Sequence, residues 1–191
     1  EAALHGDGDA AIGYWRQAYQ HDARCRKEIV KLLWRSASAE ELLNAFDPDA
    51  AQCRELFWFY RGEKDNAGAH AVALRLAPAL VAEAQGKPPS RAATLLVEAG
   101  RIYAYLDDPA QAVQCTKSAV ELAPFEYSVR LAYAEQLLQA DMPDDAVEQL
   151  EWCRRRRPDD PQLVRVSKLA AGRASAALRV SAVGQEDKPR Q

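Results

Sequence analysis

The chain has 191 residues, enough for one domain or two small ones with a sizeable buried core. Hydrophobic residues make up 48% and charged residues 28%, proportions typical of a globular protein, so extensive disorder is excluded. The formal net charge of −3 is too small to draw the whole protein to nucleic acid. No apolar run approaches the ~20 residues of a membrane span. We therefore expect a water-soluble protein without membrane insertion and without a nucleic-acid partner.

Both the amino-acid composition and the helix-start signals favour helices. About one residue in five is Ala, whereas Ile and Thr, which favour strands, are rare. An Asp that can cap a helix precedes a Pro at three places, Asp47-Pro48, Asp108-Pro109 and Asp160-Pro161. Ser38 and Glu41 have the spacing of a capping box. From Leu95 to Leu106, apolar residues recur three and four apart, which indicates a helix buried along one side.

These signals predict an all-α fold of about ten helices. The predicted helices lie near 9–22, 24–35, 38–46, 49–61, 66–85, 91–106, 109–122, 126–140, 143–157 and 161–181. Because connections of a few residues make consecutive helices antiparallel, the architecture is expected to be a series of helix hairpins. The polar end of the chain, 182–191, is predicted to be a disordered tail.

Several residues recur at a spacing of 34. Ala112 recurs as Ala146, Pro124 recurs as Pro158, and the turn acids Asp107 and Asp141 stand at the same interval. This pattern resembles the tetratricopeptide repeat (TPR), a repeated helix pair. Residues 93–126 match it at Leu96, Gly100, Tyr103, Ala112, Ala119 and Pro124. Residues 127–160 match it at Ala134, Leu137, Ala146, Leu150 and Pro158, although Arg130 stands where a large apolar residue is usual.

The resemblance implies a TPR-like α-solenoid, a right-handed superhelix of antiparallel helix hairpins. Its predicted organisation is partial and degenerate repeats over 1–92, two repeats over 93–160 and a capping helix over 161–181. At the amino end Gly6, Ala11, Trp15 and Ala18 resemble the second half of another repeat. We therefore expect a fragment of a longer protein. The amino end shows no basic segment followed by an apolar one, and the Cys give no support to export, so we expect a cytoplasmic location.

Catalytic and metal-binding patterns are not found in the sequence. His5, His21 and His70 are isolated, and the four Cys form no CxxC pair. Neither a nucleophile elbow nor a phosphate-binding loop occurs. We therefore expect no metal, no cofactor and no catalytic activity, and we interpret the Cys as small, half-buried helix residues.

Two further runs have alternative interpretations. The four Arg at 154–157 would suit nucleic acid, but successive helix residues point in different directions and cations favour a helix carboxyl end, so we interpret them as a solvated helix end. The aromatic run at 56–60 is predicted to pack mainly between helices. Five large neighbours cannot all face one interface, so core and docking surface both stay open for this run.

The resemblance also implies a binding surface, because the first helices of successive TPRs line a concave groove that receives peptides or proteins. The corresponding residues here are Thr94, Val97, Arg101 and Tyr105, then Ser128, Leu131, Glu135 and Gln139, then Arg165 and Leu169. The Lys, Asn and Arg clamp that grips chaperone tails is absent, because Val97 and Ala132 occupy two of its positions. A chaperone adaptor is therefore disfavoured.

The expected function is a non-catalytic scaffold that binds a partner protein or peptide in this groove. Val97, Arg101, Tyr105, Leu131, Glu135, Gln139 and Arg165 are its predicted contact residues. The alternative is a recruiting or regulatory TPR segment of a larger enzyme. The sequence names neither the partner nor the oligomeric state.

Overall fold

A computed structural model describes the backbone of residues 8–186 and the side chains of residues 13–173. Over residues 8–186 all regular secondary structure is helical. The ten helices are α1 (Gly8–His21), α2 (Ala23–Leu33), α3 (Ala39–Phe46), α4 (Ala50–Gly62), α5 (Asn66–Ala84), α6 (Pro89–Tyr105), α7 (Pro109–Leu122), α8 (Tyr127–Gln139), α9 (Pro143–Arg154) and α10 (Pro161–Glu186). The predicted all-α fold is confirmed, and each helix lies where a helix was predicted.

The chain divides after Ala79 into two compact units. In residues 1–79, α1 packs against α2 and α3, and the rings of Tyr19 and Phe46 stack with their centroids 4.7 Å apart. Near the start of α5, Gly68 faces the buried ring of Tyr60 so closely that a Cβ there would collide with it. A glycine is therefore required where α4 and α5 meet.

In residues 80–191, consecutive helices from α6 to α10 pack as neighbours, and alternate helices also touch. α6 contacts α8, and α8 contacts α10, so α8 touches both of the other two helices. Leu137, Leu150, Leu163 and Val166 are almost completely buried in the core that α8, α9 and α10 share. Apolar residues spaced three and four apart on each helix supply this core.

The pair α6 and α7 crosses at Gly100. A Cβ on Gly100 would lie 2.8 Å from Thr116 Cγ2 and 3.0 Å from the Ala112 carbonyl oxygen. Both distances are shorter than packed carbon and oxygen atoms normally adopt. Ala112 and Ala119 on α7 are 1% and 0% exposed. Small residues at these positions therefore allow the two helices to approach closely.

The same turn joins three helix pairs. Lys64, Asp107 and Asp141 each have a left-handed backbone with φ 59°. In each turn the amide of this residue donates to the carbonyl three residues earlier, and the next amide donates to the carbonyl five residues earlier. These paired bonds define a Schellman motif, which satisfies carbonyl groups at the helix end. The turn acids at 34-residue spacing thus occupy equivalent structural positions.

The helix caps confirm two of the three predicted Asp-Pro starts and correct the third. Asp108 accepts a hydrogen bond from the Gln111 amide, and Asp160 accepts one from the Gln162 amide. At the remaining start, Asp49 caps α4 in a capping box, whereas Asp47 ends α3 in a left-handed conformation and pairs with Arg75. Two Asp flank Pro48, and the sequence signal selected the wrong one.

The arginine run also differs from its prediction. α9 ends at Arg154, because the next residues form a turn before Pro158. Two of the arginines cover aromatic rings: the Arg156 guanidinium carbon lies 3.4 Å from the centroid of Trp152, and that of Arg157 lies 4.6 Å from the centroid of Tyr127. These side chains make cation–π contacts in addition to facing solvent.

At the carboxyl end α10 continues to Glu186, past the predicted end at 181. Its Ala-rich sequence favours helix, and no proline interrupts it between Pro161, at its first position, and residue 189. Leu163, Val166 and Ala170 are buried on the inner side of this helix. The rest of the predicted tail, 187–191, lies outside the described residues.

The helix crossing can be tested with Ala112→Arg. A long charged side chain at this buried position has no room, so the free energy of unfolding should fall by about 3 kcal/mol or more. Urea denaturation measures the change, and Ala110→Arg, at an exposed position of the same helix, is the matched control. Equal stability of the two variants would show that the assigned crossing is wrong.

The turn can be tested at Asp107. Because its φ is positive, Asp107→Gly should keep or raise the free energy of unfolding, whereas Asp107→Val should lower it by about 1–2 kcal/mol. The same denaturation assay compares the two variants. A valine variant as stable as the glycine variant would contradict the left-handed conformation.

Candidate functional site

An open cleft of about 450 Å³ lies among α6, α8 and α10 in the unit of residues 80–191. Its volume is within the range of sites that bind ligands. The lining residues are Arg101, Ala104, Tyr105, Glu135, Gln136, Leu138, Gln139, Arg165, Val166, Leu169 and Arg173. Three helices thus contribute to one site, and none of its lining residues belongs to a loop.

Five of the seven predicted contact residues line this cleft. They are Arg101 and Tyr105 from α6, Glu135 and Gln139 from α8, and Arg165 from α10. Leu169, which the same register selected, also lines it and is 57% exposed. The lining residues lie up to 72 positions apart in sequence, from Arg101 to Arg173.

The other two predicted contact residues are buried. Val97 is 8% exposed and Leu131 is 2% exposed, so their assignment to a partner-facing surface is corrected. Each lies one helical turn before a polar residue of the cleft, Arg101 or Glu135, but its apolar side chain packs inside the protein. Burial of apolar surface stabilises this arrangement.

Thr94 and Ser128, also selected by the register, are exposed but do not line the cleft. The Thr94 hydroxyl donates to the Ser90 carbonyl at 2.9 Å, and the Ser128 hydroxyl donates to the Glu126 carboxylate at 3.2 Å. Both hydroxyls thus make local bonds near helix starts, which is common for these residue types.

Positive charge predominates around the cleft. Arg101, Arg165 and Arg173 line it, against the single carboxylate of Glu135. Glu135 Oε1 accepts hydrogen bonds from Arg165 Nη2 at 3.1 Å and from Gln162 Nε2 at 3.0 Å. The Arg173 guanidinium lies 3.8 Å from the Asp141 carboxylate. The lining itself therefore contains one ion pair, Glu135 with Arg165, and the guanidinium groups of Arg101 and Arg173.

The floor of the cleft is mostly apolar but includes one amide. Leu138 and Val166 are 3% and 1% exposed. Gln136, which also lines the cleft, is 3% exposed. The Gln136 Oε1 atom is buried and accepts no hydrogen bond from the described part of the chain. Buried polar atoms are normally paired, so this oxygen is an uncommon feature.

Sequence reasoning missed Gln136 and Arg173. Arg173 follows Leu169 by four residues, so helical periodicity alone places it on the same side of α10. Gln136 adjoins the predicted Glu135, but the sequence carries no signal that its side chain is buried. Its environment depends on how α8 packs with neighbouring helices.

The aromatic run at 56–60 divides between core and surface. Leu56, Phe57 and Tyr60 are buried, whereas Trp58 is 65% exposed. Within residues 1–79, Trp58 and Leu56 help to line a groove between α2 and α4 of about 600 Å³. Packing between helices thus accounts for most of the run, and one large aromatic ring remains at the surface.

The cysteines are free thiols in two environments. Cys53, Cys115 and Cys153 are buried, whereas Cys25 is exposed. Burial raises the pKa of the three buried thiols to about 11, and the Asp22 carboxylate raises the pKa of Cys25. Neutral thiols are poor nucleophiles and poor metal ligands. Among the described residues, no group of three His, Cys, Asp or Glu side chains could hold a metal ion.

Comparison with known proteins gives no family: no protein-family model matches the sequence, and a search of the curated proteins found no match. The residues that the structure describes include no helix with the length and apolarity needed to cross a bilayer.

Thiol labelling tests the described cysteine environments. An aromatic disulfide reagent at neutral pH should react with one thiol, Cys25, in the folded protein and with four after denaturation. Cys25→Ser should remove the reaction of the folded protein. Rapid labelling of two or more thiols before unfolding would contradict the burial of the other three.

Proposed function

We propose that this chain is a non-catalytic scaffold that binds a partner protein or peptide in the cleft among α6, α8 and α10. One observation carries the proposal: five contact residues selected by a repeat register lie together in one cleft. A repeat register defined by the sequence alone would rarely place residues of three helices in one cleft by chance.

We also propose that residues 93–160 are two TPR-like repeats within an α-solenoid. The equivalent turns at Asp107 and Asp141 support this assignment. Gly100 at the α6–α7 crossing and the buried Ala112 and Ala146 support it too, because they occupy small-residue positions of the repeat. The contacts of α6 with α8 and of α8 with α10 are those of stacked first helices.

The chemistry of the cleft suits a protein ligand. Its floor contains the apolar side chains of Leu138 and Val166, and its rim contains Arg101, Tyr105 and Gln139. Protein interfaces commonly combine an apolar centre with a polar rim. Tyr and Arg are also the residue types that most often dominate binding energies. If the chain is instead part of a larger enzyme, the same cleft would serve as its recruiting site.

The proposal predicts that changes in the cleft weaken partner binding. A photoreactive amino acid at Tyr105 should crosslink the partner, and the same group at Phe125, which is 82% exposed and outside the cleft lining, should not. With the crosslinked partner purified, Tyr105→Ala combined with Arg101→Glu should raise Kd about tenfold or more, equivalent to ~1.4 kcal/mol. Calorimetry measures Kd directly.

Two matched controls isolate the cleft. Arg155→Glu makes the same charge change on an exposed residue after α9, and Phe125→Ala removes an exposed ring. Both variants should bind the partner as the unaltered protein does. The proposal is wrong if either control weakens binding more than the cleft variant, or if crosslinking does not depend on position.

A further inference from the structure

The groove between α2 and α4 combines an apolar floor with one projecting aromatic ring. Val30 and Leu56 in its lining are each 3% exposed, Phe59 is half-buried, and Trp58 is 65% exposed. An apolar groove beside so exposed a Trp is the kind of surface that commonly marks a protein interface. Trp is also one of the residue types that most often dominate binding energies. The groove therefore has the composition of a docking surface.

The same groove carries charges of both signs. Arg26 Nε donates to Glu55 Oε2 at 2.8 Å, and Glu55 Oε1 accepts no hydrogen bond from the described part of the chain. Lys27 also lines the groove and forms no ion pair with a described residue. A complementary surface must therefore present a carboxylate to Lys27 and a cation to Glu55. The groove itself presents that pair of groups.

The two helices that border the groove run in the same direction. The ion pair of Arg26 with Glu55 is followed, further along both helices, by an edge-to-face contact of the Trp34 and Phe59 rings with their centroids 6.0 Å apart. A two-fold axis along the groove would therefore place α2 of one copy over α4 of another, with corresponding levels of the helices facing each other. In such an arrangement the same patch of both copies forms the interface.

We propose that the chain forms a symmetric dimer through the groove between α2 and α4. Lys27 of each copy pairs with the Glu55 carboxylate of the other copy, because Lys27 follows Arg26 directly and lies near the level of Glu55. Trp58 lies about one helical turn beyond Glu55, so its ring covers the groove of the other copy at the level of Val30. One surface thus supplies the projecting ring, the apolar floor that receives it and both partners of each ion pair.

Sedimentation equilibrium over a range of protein concentrations tests the dimer. The unaltered chain should associate into particles of two copies with a Kd of about 100 μM or lower. Trp58→Ala should raise this Kd at least tenfold, because it removes the projecting ring. Tyr14→Ala is the matched control: Tyr14 is 67% exposed on α1 and lies outside the groove lining, so this variant should dimerise as the unaltered chain does.

Exchange of the charges tests the two-fold arrangement. Lys27→Glu alone, or Glu55→Lys alone, places like charges opposite each other and should raise Kd at least tenfold. An equimolar mixture of the two variants should regain most of the affinity, because opposite charges face each other at both positions of the mixed dimer. A variant that had merely misfolded would not associate on mixing.

Three results would overturn the inference. They are a chain that remains monomeric up to about 500 μM, a Trp58→Ala variant that dimerises as tightly as the unaltered chain, and a mixture of charge variants that does not associate. A monomer would leave the groove to a different molecule, and a dimer insensitive to Trp58 would use another surface. The cleft variant, Tyr105→Ala with Arg101→Glu, should dimerise normally, so the proposed function and the dimer fail or stand separately.

Discussion

The close contact between α6 and α7 at Gly100 is the constraint on which the carboxyl-terminal unit depends. A Cβ at this position would meet both a side chain and a backbone carbonyl of α7, so the crossing distance is set by the absence of a side chain. Thr116 fits there because its hydroxyl donates to the Ala112 carbonyl at 2.9 Å, which satisfies a fully buried polar group. With α7 held this close, α8 packs on both helices of the pair. The cleft among α6, α8 and α10 follows from that packing.

The proposed binding site is composed of helices, and it differs from a site composed of loops in its conformational entropy. The cleft residues occupy regular helical backbone, and several of their neighbours are completely buried. Fewer backbone conformations are then lost on binding, so more of the contact energy appears as affinity. Ion pairs such as Glu135 with Arg165 further restrict the side chains before a ligand arrives.

The sequence predicted the features that depend on interactions between residues close together in the chain, such as helix caps and apolar periodicity. Helix starts and apolar periodicity located all ten helices, and the register found most of the polar residues of the cleft, Arg101 and Glu135 among them. It failed where burial depends on a neighbouring element: Leu131 and Gln136 are both buried, although the register assigned Leu131 to the binding surface and the polar side chain of Gln136 gives no local sign of burial. The cation–π contact of Arg156 with Trp152 was missed for a related reason, because the folding of the turn after α9 determines it.

The three Schellman turns affect which insertions and deletions the chain can tolerate during evolution. All their defining bonds join backbone atoms of the same short segment, so the turn needs no side chain from elsewhere in the protein. Two of them are 34 residues apart, at Asp107 and Asp141, whereas Lys64 precedes Asp107 by 43 residues. The helices between turns can therefore lengthen without altering how each hairpin closes. Duplication or loss of a whole hairpin would leave the turns of the remaining hairpins intact, because each turn depends only on its own segment.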